Sequence, residues 1–306
     1  MIHKLRNEIA KAIVGQQDAV DLVIMSLLTN SHALLVGVPG LAKTTLVKAV
    51  SKASGLDFGR IQFTPDLMPS DVIGSEVLMP DRTLTFQQGP LFTHVLLADE
   101  INRTPPKTQS ALLEAMQEGS VTANGVTHFL PKPFFVLATQ NPLEQEGTYP
   151  LPEAQLDRFL FFIELGYPSH AEEVEIVKRT TGDLNSTVEA VLTPDDWFEL
   201  QAIIRQMPVP DPVVDWAVRL VQASRSKTAI DNKPYISWGA GPRASQSLIM
   251  AAKAHAFLRG KHAPDKEDVI AVAIPVLRHR MVATYQATAD GLTTADLIQK
   301  LLKQLH

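Results

Sequence analysis

Two stretches of this chain carry residue types and spacings that can do chemistry. The first is Gly37-Val38-Pro39-Gly40-Leu41-Ala42-Lys43-Thr44-Thr45. An apolar run, Ala33 to Val36, precedes it, and Leu46, Val47, Ala49 and Val50 follow at helical spacing. A strand, a glycine-rich turn, a Lys-Thr pair and a helix form the context that a phosphate-binding loop needs. Loop amides and the helix N-terminus converge on one point and favour negative charge there. In that setting Lys43 reaches the β- and γ-phosphates, and the Thr44 hydroxyl holds Mg²⁺. One position departs from the usual pattern: the residue before the lysine is ordinarily glycine, and here it is Ala42. Alanine is tolerated there if the position has negative φ and its methyl clears the phosphates. Taken alone, the stretch can also be read as a structural glycine turn.

The second stretch is His94-Val95-Leu96-Leu97-Ala98-Asp99-Glu100, an apolar strand ending in two adjacent carboxylates. Parallel strands present their C-terminal ends to the ligand crevice. Asp99 is then placed to bind Mg²⁺, directly or through water, and Glu100 to orient and deprotonate a water. A solvated acidic pair is the plain alternative, and the phosphate loop in the same chain weighs against it.

Three further positions could serve the same site. Asn141 follows the apolar run Phe134 to Thr139, where its amide can position a water or simply cap a turn. Arg243 follows Gly241-Pro242 at a helix start, where a cation is mildly unfavourable to the helix dipole unless it serves a ligand. Val14-Gly15-Gln16 lies between two helical patterns. It reads equally as a helix-helix turn with Gly15 as the stop and as a wall for an adenine ring. The nine histidines show no metal-ligand spacing and read as surface or core residues.

The elements that must position these residues follow from periodicity. Two helices are expected over residues 3–29. Apolar strands are expected near 33–36, 60–64, 94–100, 134–139 and 159–163, alternating with helices, which gives a doubly wound α/β layer. Small hairpins are expected around 76–86 and 120–130, the second turning at Asn124-Gly125. Ser70 is placed to cap a short helix. From Pro168 onward the pattern is helical, with helices expected over 171–180, 194–206, 213–224, 244–258, 265–281 and 294–305 and no strand signal. The expected division is a nucleotide-binding domain over 1–167 and an all-α lid over 168–306.

Bulk properties bound the function. A chain of 306 residues with 45% hydrophobic and 20% charged residues is an ordinary globular protein of one or two domains. A formal charge of -5 argues against a chain that is basic overall. With no cysteine, disulfides, thiol catalysis and cysteine-ligated zinc are excluded. Neither a signal peptide nor a membrane-length apolar run is apparent, so the cytoplasm is the expected location.

In this order and spacing, the residues resemble the AAA+ ATPases and, within them, the MoxR family, over essentially the whole chain. The phosphate loop with Ala42 included resembles that family's form. Asp99-Glu100-Ile101-Asn102-Arg103, Gln109 to Met116, Ala138 to Pro142 and Pro152 to Phe159 are similar to it as well. The resemblance implies a P-loop NTPase core with a five-stranded parallel sheet, ATP as substrate and Mg²⁺ as cofactor. It implies roles for Lys43 and Thr44 as the first nucleotide motif and for Asp99 and Glu100 as the second. Asn141 would be the first sensor, Arg243 the second sensor, Arg158 an arginine finger serving the neighbouring subunit, and Val14-Gly15-Gln16 part of the adenine pocket. Arg103 is a second candidate for a trans-acting arginine. A homo-oligomeric ring, by resemblance a hexamer, follows from a finger supplied in trans. Relatives assist maturation of protein complexes or metal-cofactor insertion, often with a partner carrying a von Willebrand factor A domain. The alternative is a nucleic-acid translocase or helicase-type motor. It is disfavoured because residues 76–86 contain one arginine and no lysine, and residues 120–130 contain neither. A binding switch without hydrolysis is disfavoured by the full set of Glu100, Asn141 and Arg158.

Overall fold

Burial decides which apolar runs become the sheet. Val95 to Asp99 is buried along its whole length, and so is Phe135 to Thr139. Runs that are apolar at every position, not at alternate ones, suit strands covered on both faces. In the computed structural model, all residues are described except 39, 124, 143–146, 182–186, 227–229, 231, 232 and 306. In chain order the elements are α1 (Ile2–Ala12), α2 (Gln17–Leu28), β1 (His32–Val36), α3 (Lys43–Ala53), β2 (Phe58–Gln62), α4 (Pro69–Ile73), β3 (Gly74–Leu78), β4 (Leu84–Gln88) and β5 (Val95–Asp99). A 3-10 turn at Ile101–Arg103 leads to α5 (Pro106–Glu118), β6 (Ser120–Ala123), β7 (Val126–Phe129), β8 (Phe135–Gln140), α6 (Glu153–Leu156), β9 (Phe159–Glu164) and α7 (His170–Thr181). Then come α8 (Pro194–Gln206), α9 (Asp211–Ser224), β10 (Ile236–Trp238), α10 (Pro242–Leu258), α11 (Lys266–Leu277), a 3-10 turn at Arg278–Arg280, β11 (Val282–Ala283), α12 (Tyr285–Ala289) and α13 (Thr294–Gln304).

Two compact units result, one of residues 1–151 and 163–199, the other of residues 152–162 and 200–306. The five-stranded sheet has the order β2-β5-β8-β1-β9, and the pairs β2–β5, β5–β8 and β8–β1 are parallel. This order brings the ends of β1, β5 and β8 side by side, so the segments that follow them share one edge. Within the first unit, α1 buries Leu5 and Ile9 and packs on α3. Trp197 is fully buried and its indole N–H donates to Ser54 O at 3.1 Å. The two hairpins, β3–β4 and β6–β7, are antiparallel and lean on each other where Phe86 stacks on His128, with ring centroids 4.0 Å apart.

In the second unit, α10 packs on α11 and α9, and α13 packs on α11 and α9. α11 starts at a capping box in which Asp265 accepts from Asp268 N–H at 3.1 Å. Several expectations are corrected here. The helix expected over 265–281 stops at Leu277 and continues only as a 3-10 turn, two residues after Pro275. Between the helices a two-stranded antiparallel ladder, β10–β11, pairs Ile236 with Ala283 and Trp238 with Val282. Strands of two and three residues are too short to show a period in sequence. In the first unit, Ser70 does not cap α4: Pro69 takes the first helical position, Met68 is the cap, and its N–H donates to the Asp71 carboxylate at 2.8 Å. Asn124, at the expected turn of the second hairpin, lies outside the described residues. Gly125 beside it has φ +82.

One buried side chain carries a pH dependence. His32 on β1 donates through Nε2–H to Met116 O at 3.0 Å, and its Nδ1 accepts from Val136 N–H at 3.1 Å. Because the Val136 amide can only donate, the ring is neutral with its proton on Nε2. Burial pushes its pKa down from 6.5 to about 4, against a smaller opposing effect of the Met116 hydrogen bond. Between those values the unfolded chain binds a proton that the folded chain refuses. Stability is therefore complete above pH 6.5 and falls as the pH drops toward 4, by about 3 kcal/mol from this group. His279, also buried, is pushed down by burial first and adds in the same direction. Urea midpoints measured from pH 7 to pH 4 should fall less steeply for His32→Gln than for the wild type. Parallel curves would rule out this role for His32.

Candidate functional site

The loop between β1 and α3 wraps the N-terminus of α3. Gly40 has φ +88, and a Cβ placed on it would meet nothing within 4 Å, so the backbone here borders open space. Lys43 Nζ donates to Gly37 O at 2.9 Å, which lays the side chain back across the loop. Leu41 is buried and anchors the loop, and Gly37 N–H reaches Gln140 O of β8 at 3.4 Å. Val38 is half-buried at the loop's start. Pro39 lies outside the described residues.

Ala42 does not have the negative φ under which alanine is freely tolerated there. It sits at φ +54, ψ +26, in the left-handed region, as the cap residue before α3. The turn from the loop into α3 takes that conformation with alanine in place of glycine. An L-residue there costs roughly 1–2 kcal/mol, partly offset by the lower entropy that alanine has in the unfolded chain. Ala42→Gly is therefore expected to stabilise the fold by about 0.5–1 kcal/mol, raising the thermal midpoint by roughly 1–3 °C. A lower midpoint in a melting curve would contradict the strain assigned to Ala42.

The acidic pair stands opposite the loop. Asp99 is buried; its Oδ1 accepts from Thr139 Oγ1–H at 2.6 Å and its Oδ2 from Arg60 Nη2 at 2.8 Å. Glu100 leaves the strand with φ +57, a left-handed turn that aims it away from the sheet. Its N–H donates to Thr139 Oγ1 at 2.9 Å. Its Oε2 accepts from Gln62 Nε2 at 2.8 Å and from Arg103 Nη1 at 3.1 Å. Thr139 thus fixes both members of the pair, with one hydroxyl donating to Asp99 and accepting from Glu100.

These residues enclose a cavity of about 350 Å³ lined by Gly40, Ala42, Lys43, Thr44, Thr45, Arg60, Gln62, Asp99 and Glu100. A second cavity of about 310 Å³ shares Gly40, Ala42 and Thr45 with it and is mainly apolar, with Ile13, Val14, Leu41, Pro168 and Ile176 in its wall, beside the polar Gln16 and Thr180 and the cations Lys11 and Arg179. The polar and apolar cavities thus meet along one stretch of the loop. That is the outline a phosphorylated nucleoside needs, polar at one end and flat and apolar at the other. Gly15, at φ +67, turns the chain between the two wall residues Val14 and Gln16, and a Cβ on it would lie 2.1 Å from Glu172 Oε1.

The polar cavity also suits Mg²⁺. Thr44 and Asp99 offer a hydroxyl and a carboxylate in one wall, which are hard oxygen donors. Among the described residues no group of three His, Asp or Glu side chains is arranged to hold a metal by itself. A Mg²⁺ ion held here would need further oxygen ligands beyond Thr44 and Asp99, as this ion commonly does.

Asn141 is buried one residue beyond β8, between the ends of β1 and β5 in the sheet order. Arg158 and Arg243 belong to the second unit. Arg158 lies between α6 and β9. Arg243, in the first turn of α10, has Nη1 3.4 Å from Asp157 Oδ2. Arg103, the other candidate for a trans role, pairs with Glu100 of its own chain. Arg60, Gln62 and Thr139 were missed from sequence. The signal was available: Arg60 and Gln62 are alternate residues of β2, and a strand placed beside β5 presents alternate residues to the carboxylates that end it.

The comparisons with known proteins agree with this geometry. Residues 32–161 match the model of the "ATPase family associated with various cellular activities (AAA)", and residues 228–301 match that of the AAA lid domain. Chaperone MoxR1 of Mycobacterium tuberculosis is 46% identical over 300 residues, which cover 97% of this chain and 79% of that protein. The uncharacterized protein YeaC of Bacillus subtilis is 42% identical over 99% of this chain and 93% of its own length. Protein MoxR of Paracoccus denitrificans is 30% identical over 92% of this chain and 89% of its own length. A crystal structure from Cytophaga hutchinsonii, 40% identical, superposes with a TM-score of 0.93 over 100% of this chain and 94% of that one. Among the described residues no helix is long and apolar enough to cross a membrane. Loop, acidic pair, sheet order and relatives matched over almost all of this chain agree, and the chain belongs to the MoxR family of AAA+ ATPases.

Proposed function

We propose that this chain is an ATP-hydrolysing MoxR-type chaperone. It works as a homo-oligomeric ring, a hexamer, that remodels or matures protein complexes or assists metal or cofactor insertion, with a partner bearing a von Willebrand factor A domain. The observation that carries the reading is the polar cavity in which Lys43, Thr44, Asp99 and Glu100 converge beside an apolar one. Lys43 and the loop amides bind the phosphates, and Glu100 takes a proton from the attacking water, which Asn141 helps to place. Thr44 and Asp99 would hold Mg²⁺, which when bound would supply charge neutralisation at the phosphates. Arg158 serves the next subunit's site and Arg243 its own. The cytoplasm fits this role.

The two hairpins favour a protein client over nucleic acid. Their exposed side chains include Val77, Leu78, Met79 and Leu84 on the first and Val126 and Phe129 on the second. A surface that tracks a phosphate backbone needs lysine and arginine, and Arg82 is the single such residue between 76 and 86. The decisive experiment is ATP turnover per subunit against protein concentration, with particle size measured in the same samples and nucleotide present. Turnover should rise steeply as a ring forms. A flat, appreciable rate in a monomer would show the site to be complete within one chain and would end the ring reading.

A further inference from the structure

Arg280 lies in the 3-10 turn after α11. Its side chain is 3% exposed. Nε donates to Asp157 Oδ1 at 2.7 Å. Nη2 donates to Phe159 O at 2.7 Å and, at 3.3 Å, to Asp157 O and Ser247 Oγ. Nη1 donates to Leu160 O at 3.2 Å and also to Val276 O. The neighbouring His279 adds Nε2–H to Phe159 O at 2.9 Å. One guanidinium and one imidazole thus take the backbone carbonyls of residues 157, 159 and 160, on both sides of Arg158. Asp157, held by Arg280 through one oxygen, faces Arg243 with the other.

The segment needs holding. α6, which precedes Arg158, has four residues, too few to be stable by itself. Burying a guanidinium is costly, and apolar residues of similar volume commonly serve stability as well. What a planar fork supplies beyond packing is direction, several fixed donors aimed at several acceptors at once. Here those acceptors belong to the residues flanking Arg158.

We infer that Arg280 is a positioning residue for Arg158, clamping residues 157–160 so that the Arg158 side chain is presented at a fixed angle, with Asp157 as the link to Arg243. The inference rests on Arg158 acting on the next subunit's site. A displacement of about 1 Å at such a group can cost on the order of 10²-fold in rate.

The test uses mixed rings of full-length chains. Arg280→Lys keeps the charge but loses the fork, and Asp157→Asn keeps the shape of a partly exposed side chain but loses its charge, so a folded variant is secured even if the first melts early. Each alone should turn over ATP at least about tenfold more slowly than wild type, with nucleotide affinity and ring size retained. Each is then mixed in equal amounts with Glu100→Gln chains, which lack the base but carry an intact Arg158. Turnover should recover severalfold, as it should for Arg158→Ala chains mixed in the same way. Wild-type turnover in both single variants overturns the clamp. Loss that Glu100→Gln chains fail to restore, while they do restore Arg158→Ala, also overturns it, since the defect then lies elsewhere. Failure to restore Arg158→Ala itself sinks the trans reading of Arg158, and the clamp's purpose falls with it.

Discussion

Arg158→Ala is expected to lower ATP turnover by about 10³-fold or more in the assembled protein while leaving nucleotide affinity nearly unchanged. The magnitude follows from the role. An arginine that reaches the transferring phosphate from a neighbour stabilises charge that develops in the transition state and makes little contact with the ground state. Its loss therefore appears in the rate and not in binding. The variant should also lose the concentration dependence of the wild type, because assembly no longer completes a site. Steady-state turnover over a dilution series, paired with equilibrium binding of a non-hydrolysable analogue, separates these quantities. If the variant loses nucleotide affinity along with rate, Arg158 acts within its own chain.

Glu100→Gln is expected to abolish most turnover, by about 10²–10⁴-fold, with nucleotide binding retained. The carboxylate accepts from Gln62 and Arg103, and the backbone amide is fixed by Thr139. Glutamine has the same length and can still accept through its carbonyl oxygen, so the local structure has no reason to move. What it lacks is the capacity to take a proton from water. Single-turnover hydrolysis checks this directly, since it isolates the chemical step from product release. Unchanged turnover would remove Glu100 as the base and shift attention to its neighbours around the cavity.

Much of the first unit was legible in the order of residue types. Continuous apolar runs ending in Asp99-Glu100 and in Thr139-Gln140-Asn141 mark strands buried on both faces, since a strand with a wet face alternates. Glycines at 37 and 40 followed by Lys43-Thr44 mark a candidate phosphate loop because few other chain reversals need open backbone before a helix. What escaped were features whose cause lies outside the local chain. The left-handed Ala42 is set by the loop that leads into α3 and not by its own preference. The short ladder β10–β11 forms between segments more than 40 residues apart, where no local period records it.

The sequence by itself determined most of the element types, the parallel sheet, the family and which residues are candidates for a phosphate site, because each of these is set by local pattern and side-chain chemistry. Tertiary structure alone decided which side chains those residues meet. Arg60 reaches Asp99 across 39 positions, Thr139 reaches Asp99 across 40, and Arg280 closes on residues 157–160 from more than 100 positions away. Such partners are chosen by strand order and packing. Hydrogen bonds act over about 3 Å, and nothing along the chain measures that distance until it has folded.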